Sequence, residues 1–238
     1  MANSDTSNAI VDQPLGHYNK VGSISNTPDE TVRTSVSDVV VRLMEEHDAE
    51  FVGRMEVQSF SSKYEHAVGK SRIDKVTIIR QDYYRDIDDK TNCRVLVAEY
   101  KNKRAGMLYS RFHGYRAPRG LSCCDLCGRL GCRGANGMLW LNCLECFGGV
   151  AQGECYVDAI CVDEEFRGQG IGKILMERAE QEAKGIGCSK MTLHVAQSNR
   201  AISLYQREGY DISESVDGCC CLWCALGIRK LYMMTKVI

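Results

Sequence analysis

The stretch "ECYVDAICVDEEFRGQGIGKILMERAEQEA", residues 154 to 183, constrains this chain more than any other. Its opening run, Glu154 to Val162, is largely apolar and predicts a strand in a central position. Gly168, Gly170 and Gly172 then alternate with Gln169 and Ile171 behind Arg167, and a helical pattern runs on to about Lys184, ending at Gly185. Glycines between a strand and a helix suit an anion cradle. Backbone N–H groups converge, the helix amino end adds partial positive charge, and missing side chains let a phosphate approach. Neither common nucleotide pattern fits. A Walker loop needs glycine where Arg167 stands and Ser or Thr where Ile174 stands. A dinucleotide fingerprint begun at Gly168 or Gly170 would need its third glycine at Lys173 or Leu175. The glycines alone also suit a tight turn with close helix–sheet packing.

Around this block the chain reads as alternating elements. Residues 1 to about 35 are rich in Ser, Asn, Thr and Asp without apolar period, and are expected to be a disordered tail. A short strand is expected near Val39 to Leu43, then a helix over Asp48 to Phe60, then a polar, partly helical segment from 61 to 90. Arg94 to Tyr100 and Ala105 to Phe112 form a hairpin pattern about the polar tetrad Lys101 to Arg104. After the glycine block come a strand at "SKMTLHVA", a short helix at "SNRAISLYQREGY" capped by Ser198 or Asn199 and stopped by Gly209, and a last strand at "LYMMTKVI". Hairpin first, then strand–helix–strand–helix, predicts an α/β or α+β domain with a mixed sheet over 36 to 238.

Composition narrows the partners. With 238 residues, 44% hydrophobic and 26% charged, the chain can bury one sizeable core. A net charge of -1 provides no field toward nucleic acid or an anionic membrane. The longest apolar run, Cys219 to Ile228, is half of the ~20 residues that span a bilayer. The amino terminus lacks secretory, mitochondrial and myristoylation patterns, so a cytoplasmic protein is expected.

Arg167, Gly170 and Gly172 spell R-x-x-G-x-G, and in this the chain resembles the GNAT superfamily of acetyl-CoA-dependent N-acetyltransferases. "AICVDEEFRGQGIGKILMERAE" resembles that family's central strand, loop and helix, and "SNRAISLYQREGY" its later asparagine–tyrosine helix. The resemblance covers Glu154 to Tyr210 and extends through element order to the strand near Val39. Residues 114 to 150 depart from it as a cysteine-rich, helical insertion.

The resemblance implies a GNAT-like mixed sheet flanked by helices and acetyl transfer from acetyl-CoA to a primary amine on a protein or small molecule. It implies that Ile160 and Val162 offer backbone groups to the pantetheine arm, and that Arg167, Gly168, Gln169, Gly170, Ile171, Gly172 and Lys173 hold the pyrophosphate. Asn199 would contact the pantetheine, and Tyr205 would stand near the sulfur as general acid. Glu154 and Asp158 are rival bases, since period-two alternation puts them on one strand face with Tyr156 and Ile160. Each acid also reads as a structural one, and Tyr205 as core. The same fold without turnover, as an acyl-CoA-binding or zinc-stabilised interaction module, is the alternative, and a homodimer is compatible with the apolar insertion.

Fourteen cysteines without a secretory signal are expected to be reduced. Cys124-x2-Cys127 and Cys143-x2-Cys146 have four-thiolate zinc spacing. The neighbours Leu126, Leu130, Met138, Leu139, Trp140 and Leu141 favour instead buried helices, with Cys143 and Cys146 among the apolar positions and no bound metal. Cys155 and Cys161 are placed on the strand face opposite Glu154 and Asp158, and His194 is read as structural.

Overall fold

A computed structural model describes residues 38–88, 91–146, 149–217 and 227–238. The expected tail at 1–35 and the run Cys219 to Cys221 with Cys224 lie outside the described residues. Seven strands form one sheet in the order β1-β2-β3-β4-β5-β7-β6. They are β1 Val39–Leu43, β2 Cys93–Tyr100, β3 Lys103–Phe112, β4 Glu154–Val162, β5 Lys190–Ala196, β6 Asp211–Asp217 and β7 Lys230–Val237. Strand β4 runs parallel to β5, and the other pairings are antiparallel. The mixed α/β sheet expected from the sequence is therefore present.

The β2–β3 hairpin turns on two residues, Lys101 and Asn102, both left-handed at φ 49 and 63. That handedness matches the right-handed twist of the flanking strands. The polar tetrad read from the sequence is thus shorter, with Lys103 and Arg104 already in β3. Strand β6, exposed along its length, was not anticipated, because "DISESVD" carries neither an apolar run nor a buried face.

Helices α1 (Ala49–Ser59), α2 (Ser61–Val68) and α3 (Ile73–Arg85) precede the hairpin. Phe51, Val52 and Met55 of α1 pack with Tyr84, Val97, Met107 and Tyr109 on one side of the sheet. On the other side, α5 (Ile171–Ile186) buries Ile171, Leu175, Met176, Ala179 and Ala183 against Leu96, Leu108, Cys155 and Leu193. Each fully buried aliphatic side chain contributes about 1.5–3 kcal/mol. Helix α5 continues through Gly185 and stops at Gly187, whose φ of 90 allows its N–H to close on Ala183 and Lys184 carbonyls. The sequence reading ended it two residues early.

The insertion is helical. Helix α4 (Cys123–Cys146) is two helices merged across Gly131, at φ 71 and ψ 163. Its Leu126, Leu130, Met138 and Leu141 are buried against α2 and α3. Gly137 permits the approach, since a Cβ there would fall 1.9 Å from the Ala67 carbonyl oxygen. One expectation fails: Cys143 is exposed, as is Trp140, because α4 turns only one stripe toward α2.

Candidate functional site

Strand β4 decides the site through one irregularity. Tyr109 faces Ala159 but Ser110 faces Val157, so Asp158 is an extra residue, a β-bulge. Cys155 and Val157 pack toward α5, whereas Ala159 and Cys161 pack toward α1. Ile160 and Val162, beyond the bulge, pack toward α5. Strict alternation therefore breaks: Ile160 leaves the face of Tyr156 and Asp158, and Cys161 joins it. Both expectations, that Ile160 shared the acids' face and that Cys161 opposed it, are corrected by this bulge.

The same strand separates from its parallel neighbour. Pairing with β5 runs from Glu154↔Lys190 to Val157↔Leu193. Beyond that point β5 continues against β7 through Ala196, while β4 continues against β3 through Val162. A fork opens between them. Asp163 N–H donates to Ala105 O at 2.9 Å, toward β3. Backbone groups alternate in direction along a strand, so those of Ile160 and Val162 point to the open edge.

The glycine turn lies at the end of this fork. Gly168 and Gly170 are left-handed, at φ 79 and 80, with open space where a Cβ would be. Gly172 serves close packing instead: a Cβ there would be 3.2 Å from Leu204 Cδ2. Gly170 caps α5, and Ile174 N–H donates to its carbonyl at 3.2 Å. The preceding amides of the first turn lie outside the helical ladder and are available to an anion. Gln169 Oε1 is buried without a hydrogen-bond partner, so the turn retains unsatisfied polar capacity. Arg167 folds back, with Nε donating to Val162 O at 3.2 Å and Nη1 to Glu164 Oε1 at 3.0 Å. Lys173 is exposed beside Glu177 and Glu208. Ile171 faces the core, so only its backbone can serve a ligand.

One cavity of about 1970 Å³ is lined by Glu154, Asp158, Ile160, Val162, Arg167, Gly172, Asn199 and Tyr205. Asn199 stands before helix α6 (Ile202–Arg207), where its Oδ1 accepts from Ala201 N–H at 2.9 Å and its side-chain amide N–H groups remain as donors. Tyr205, on α6, is buried beside Tyr210, and burial raises its phenol well above the ordinary range.

Both candidate bases are engaged. Glu154 accepts from Lys190 Nζ at 2.6 Å, in the closed part of the fork. Asp158 accepts from Arg111 Nε at 2.5 Å and Nη2 at 2.7 Å. That pair uses both carboxylate oxygens, and it holds the guanidinium above its ordinary pKa against the desolvation that burial imposes. Sequence reasoning placed Tyr156 beside the acids and read His194 as structural, without joining the two. Tyr156 Oη and His194 Nδ1 are 2.8 Å apart across the fork. Desolvation lowers the imidazole from 6.5, partly offset by Glu214, so His194 is neutral at pH 7. No spacing in the chain links residues 38 apart on two strands.

The cysteines stay apart from this chemistry. Burial pushes the thiols of Cys155 and Cys161 up to about 12, which leaves little thiolate. Cys124 and Cys143 are exposed and Cys127 is half-buried, whereas the side chain of Cys146 lies outside the described residues. Among the described residues no three His, Cys, Asp or Glu side chains gather as a metal site. Nor is any helix among them long and apolar enough to cross a membrane.

A forked mixed sheet with a glycine turn at a helix amino end defines an α/β fold with an anion-binding position at the head of the fork. The family model for the acetyltransferase (GNAT) family matches residues 57–210. The chain belongs to the GNAT acetyltransferase family, whose members are acyltransferases. It is 32% identical over 60 residues to an uncharacterized N-acetyltransferase of Bacillus subtilis, a match spanning 25% of this chain and 38% of that protein. The structure is similar to PaiA N-acetyltransferase of Thermoplasma acidophilum in complex with coenzyme A, with a TM-score of 0.53 and 13% identity over 84% of this chain and 99% of that one. It is similar also to a ribosomal-protein-alanine N-acetyltransferase of Brucella melitensis, with a TM-score of 0.52 and 16% identity over 84% and 99%. These likenesses establish the fold.

Proposed function

We propose that this chain transfers the acetyl group of acetyl-CoA directly to a primary amine within the β4–β5 fork, as one catalytic domain over residues 36 to 238. The observation that carries this reading is the open edge of β4 at Ile160 and Val162, leading to the exposed left-handed turn at Gly168 and Gly170. That turn, with Arg167, the backbone N–H of Gln169 and the first amides of α5, has the donors and space to hold a pyrophosphate. Asn199 retains its amide donors for the pantetheine arm.

The amine must be neutral to attack. Neither carboxylate is the best placed to take its proton, since Lys190 holds Glu154 and Arg111 holds Asp158. His194 is accessible and neutral. With the proton on Nδ1, it donates to Tyr156 Oη and leaves Nε2 as an acceptor. The amine nitrogen then bonds to the acetyl carbon as the carbon–sulfur bond breaks with its electron pair on sulfur. His194 passes its proton to solvent, and the second proton that the nitrogen sheds as the amide forms replaces, through solvent, the one given to sulfur. Tyr205, a phenol kept protonated by burial, supplies the proton to the departing sulfur. Release of free coenzyme A on mixing the protein with acetyl-CoA and a panel of primary amines tests the reading. Tight acetyl-CoA binding with no turnover on any amine would favour a non-catalytic binding module.

A further inference from the structure

The bulge at Asp158 separates two halves of the cavity. The glycine turn, α5 and α6 occupy one side of β4, and Tyr156 and Asp158 face the other, toward α1 and α3. An amine approaching the fork opposite the cofactor meets that second half. Its wall is aromatic. Tyr83 Oη is 2.9 Å from Tyr115 Oη and 3.2 Å from Tyr109 Oη, and the rings of Tyr109 and Tyr115 meet edge to face at 6.3 Å. Tyr109 is buried, while Tyr83 and Tyr115 are half-buried and line the cavity with their hydroxyls paired to one another. Arg111 lies 5.7 Å from the ring of Tyr115 and 5.3 Å from that of Tyr156, fixing both. Leu126 and Met138 of the inserted α4 line the same cavity, so the insertion encloses this half with apolar side chains.

Charge points the same way. Carboxylates here already have guanidinium partners: Glu56 with Arg80 at 2.8 Å, Asp158 with Arg111 at 2.5 Å, and Asp82 with Arg129 at 3.0 Å. Asp86 is exposed at the rim, where Lys63 and Arg119 also stand. An acceptor with several ammonium groups would set cations against these arginines. A single amine, uncharged when it attacks, brings no such conflict, and an apolar body attached to it gains ring contacts.

Resting on the acetyl-transfer reading, we propose that the acceptor is a small aromatic monoamine, an arylalkylamine by class, held between Tyr115, Tyr83 and Tyr156 with its nitrogen toward His194. The test measures coenzyme A release by the full chain with 2-phenylethylamine, spermidine and a lysine-bearing peptide, alongside acetyl-CoA binding by calorimetry. The expected result is a kcat/KM for 2-phenylethylamine on the order of 100-fold above that for spermidine. Tyr115→Ala should raise the KM for the aromatic amine about tenfold, with Tyr115→Phe restoring it and kcat and acetyl-CoA affinity little changed in either. Acetyl-CoA binding with spermidine or the peptide preferred, or with the aromatic amine refused, overturns this inference and leaves the cofactor assignment standing. Loss of acetyl-CoA binding itself would overturn the underlying reading instead.

Discussion

Tyr156 on β4 and His194 on β5 share a hydrogen bond of 2.8 Å across the mouth of the fork, one residue before and one beyond the last parallel pair, Val157↔Leu193. The strands are close enough there to join the two rings and diverge just beyond, where Asp158 bulges. The site therefore places a neutral imidazole where two neighbouring carboxylates are occupied by cations.

Replacing His194 with Gln should lower kcat by about 10²- to 10⁴-fold, the usual contribution of a positioned proton acceptor. Acetyl-CoA affinity, read by calorimetry, should hold. Glu154→Gln should have the smaller effect on turnover.

The pH profile follows from the imidazole's depressed pKa. Its neutral form accepts protons, so kcat/KM should be sustained at neutral pH and fall only as pH drops below 6.5 toward the lowered value. Protonation removes the acceptor, which fixes the sign. A profile whose acidic limb survives unchanged in His194→Gln would assign that limb to another group.

Gly170→Val should abolish acetyl-CoA binding. A β-branched residue at φ 80 is strained by about 1–3 kcal/mol, and its side chain would enter the open space over the turn. Gly187→Ala, at φ 90 at the other end of α5, provides the control: lower stability in urea, with acetyl-CoA affinity retained.

Tyr205→Phe should slow transfer by about 10²-fold or more while leaving acetyl-CoA affinity nearly intact. The ring would keep its contact with Tyr210, centroids 6.2 Å apart, so folding should be preserved. Equal turnover by the variant would make Tyr205 a core residue only.

Glu56 and Arg80 are both buried and joined at 2.8 Å, and Tyr64 Oη donates to Glu56 at 2.7 Å. Glu56→Ala should destabilise the fold by about 3–5 kcal/mol in chemical denaturation, because it removes the carboxylate that faces a buried guanidinium between α1 and α3.

The sequence by itself determined most of the elements and the glycine turn that follows β4. Apolar runs, the alternation across the hairpin and the glycines at Gly168 and Gly170 are local signals, since each reflects what a short segment needs from its own backbone and nearest neighbours. So β4 was legible to the residue, and the later helix with Asn199 and Tyr205 was legible as a block. Strand β6 was not, because an edge strand exposed throughout has no apolar pattern to read. The surroundings of Tyr156 and Asp158 were decided only by tertiary structure. The bulge at Asp158 arises from pairing with β3 and reverses the strand's faces beyond it, which strict alternation cannot anticipate. The partners Arg111, Lys190 and His194 come from other strands, and α4 reaches the cavity only through its docking on α2. A side chain's reactivity depends on the charges and burial packed around it, and those are set by residues far away in the chain.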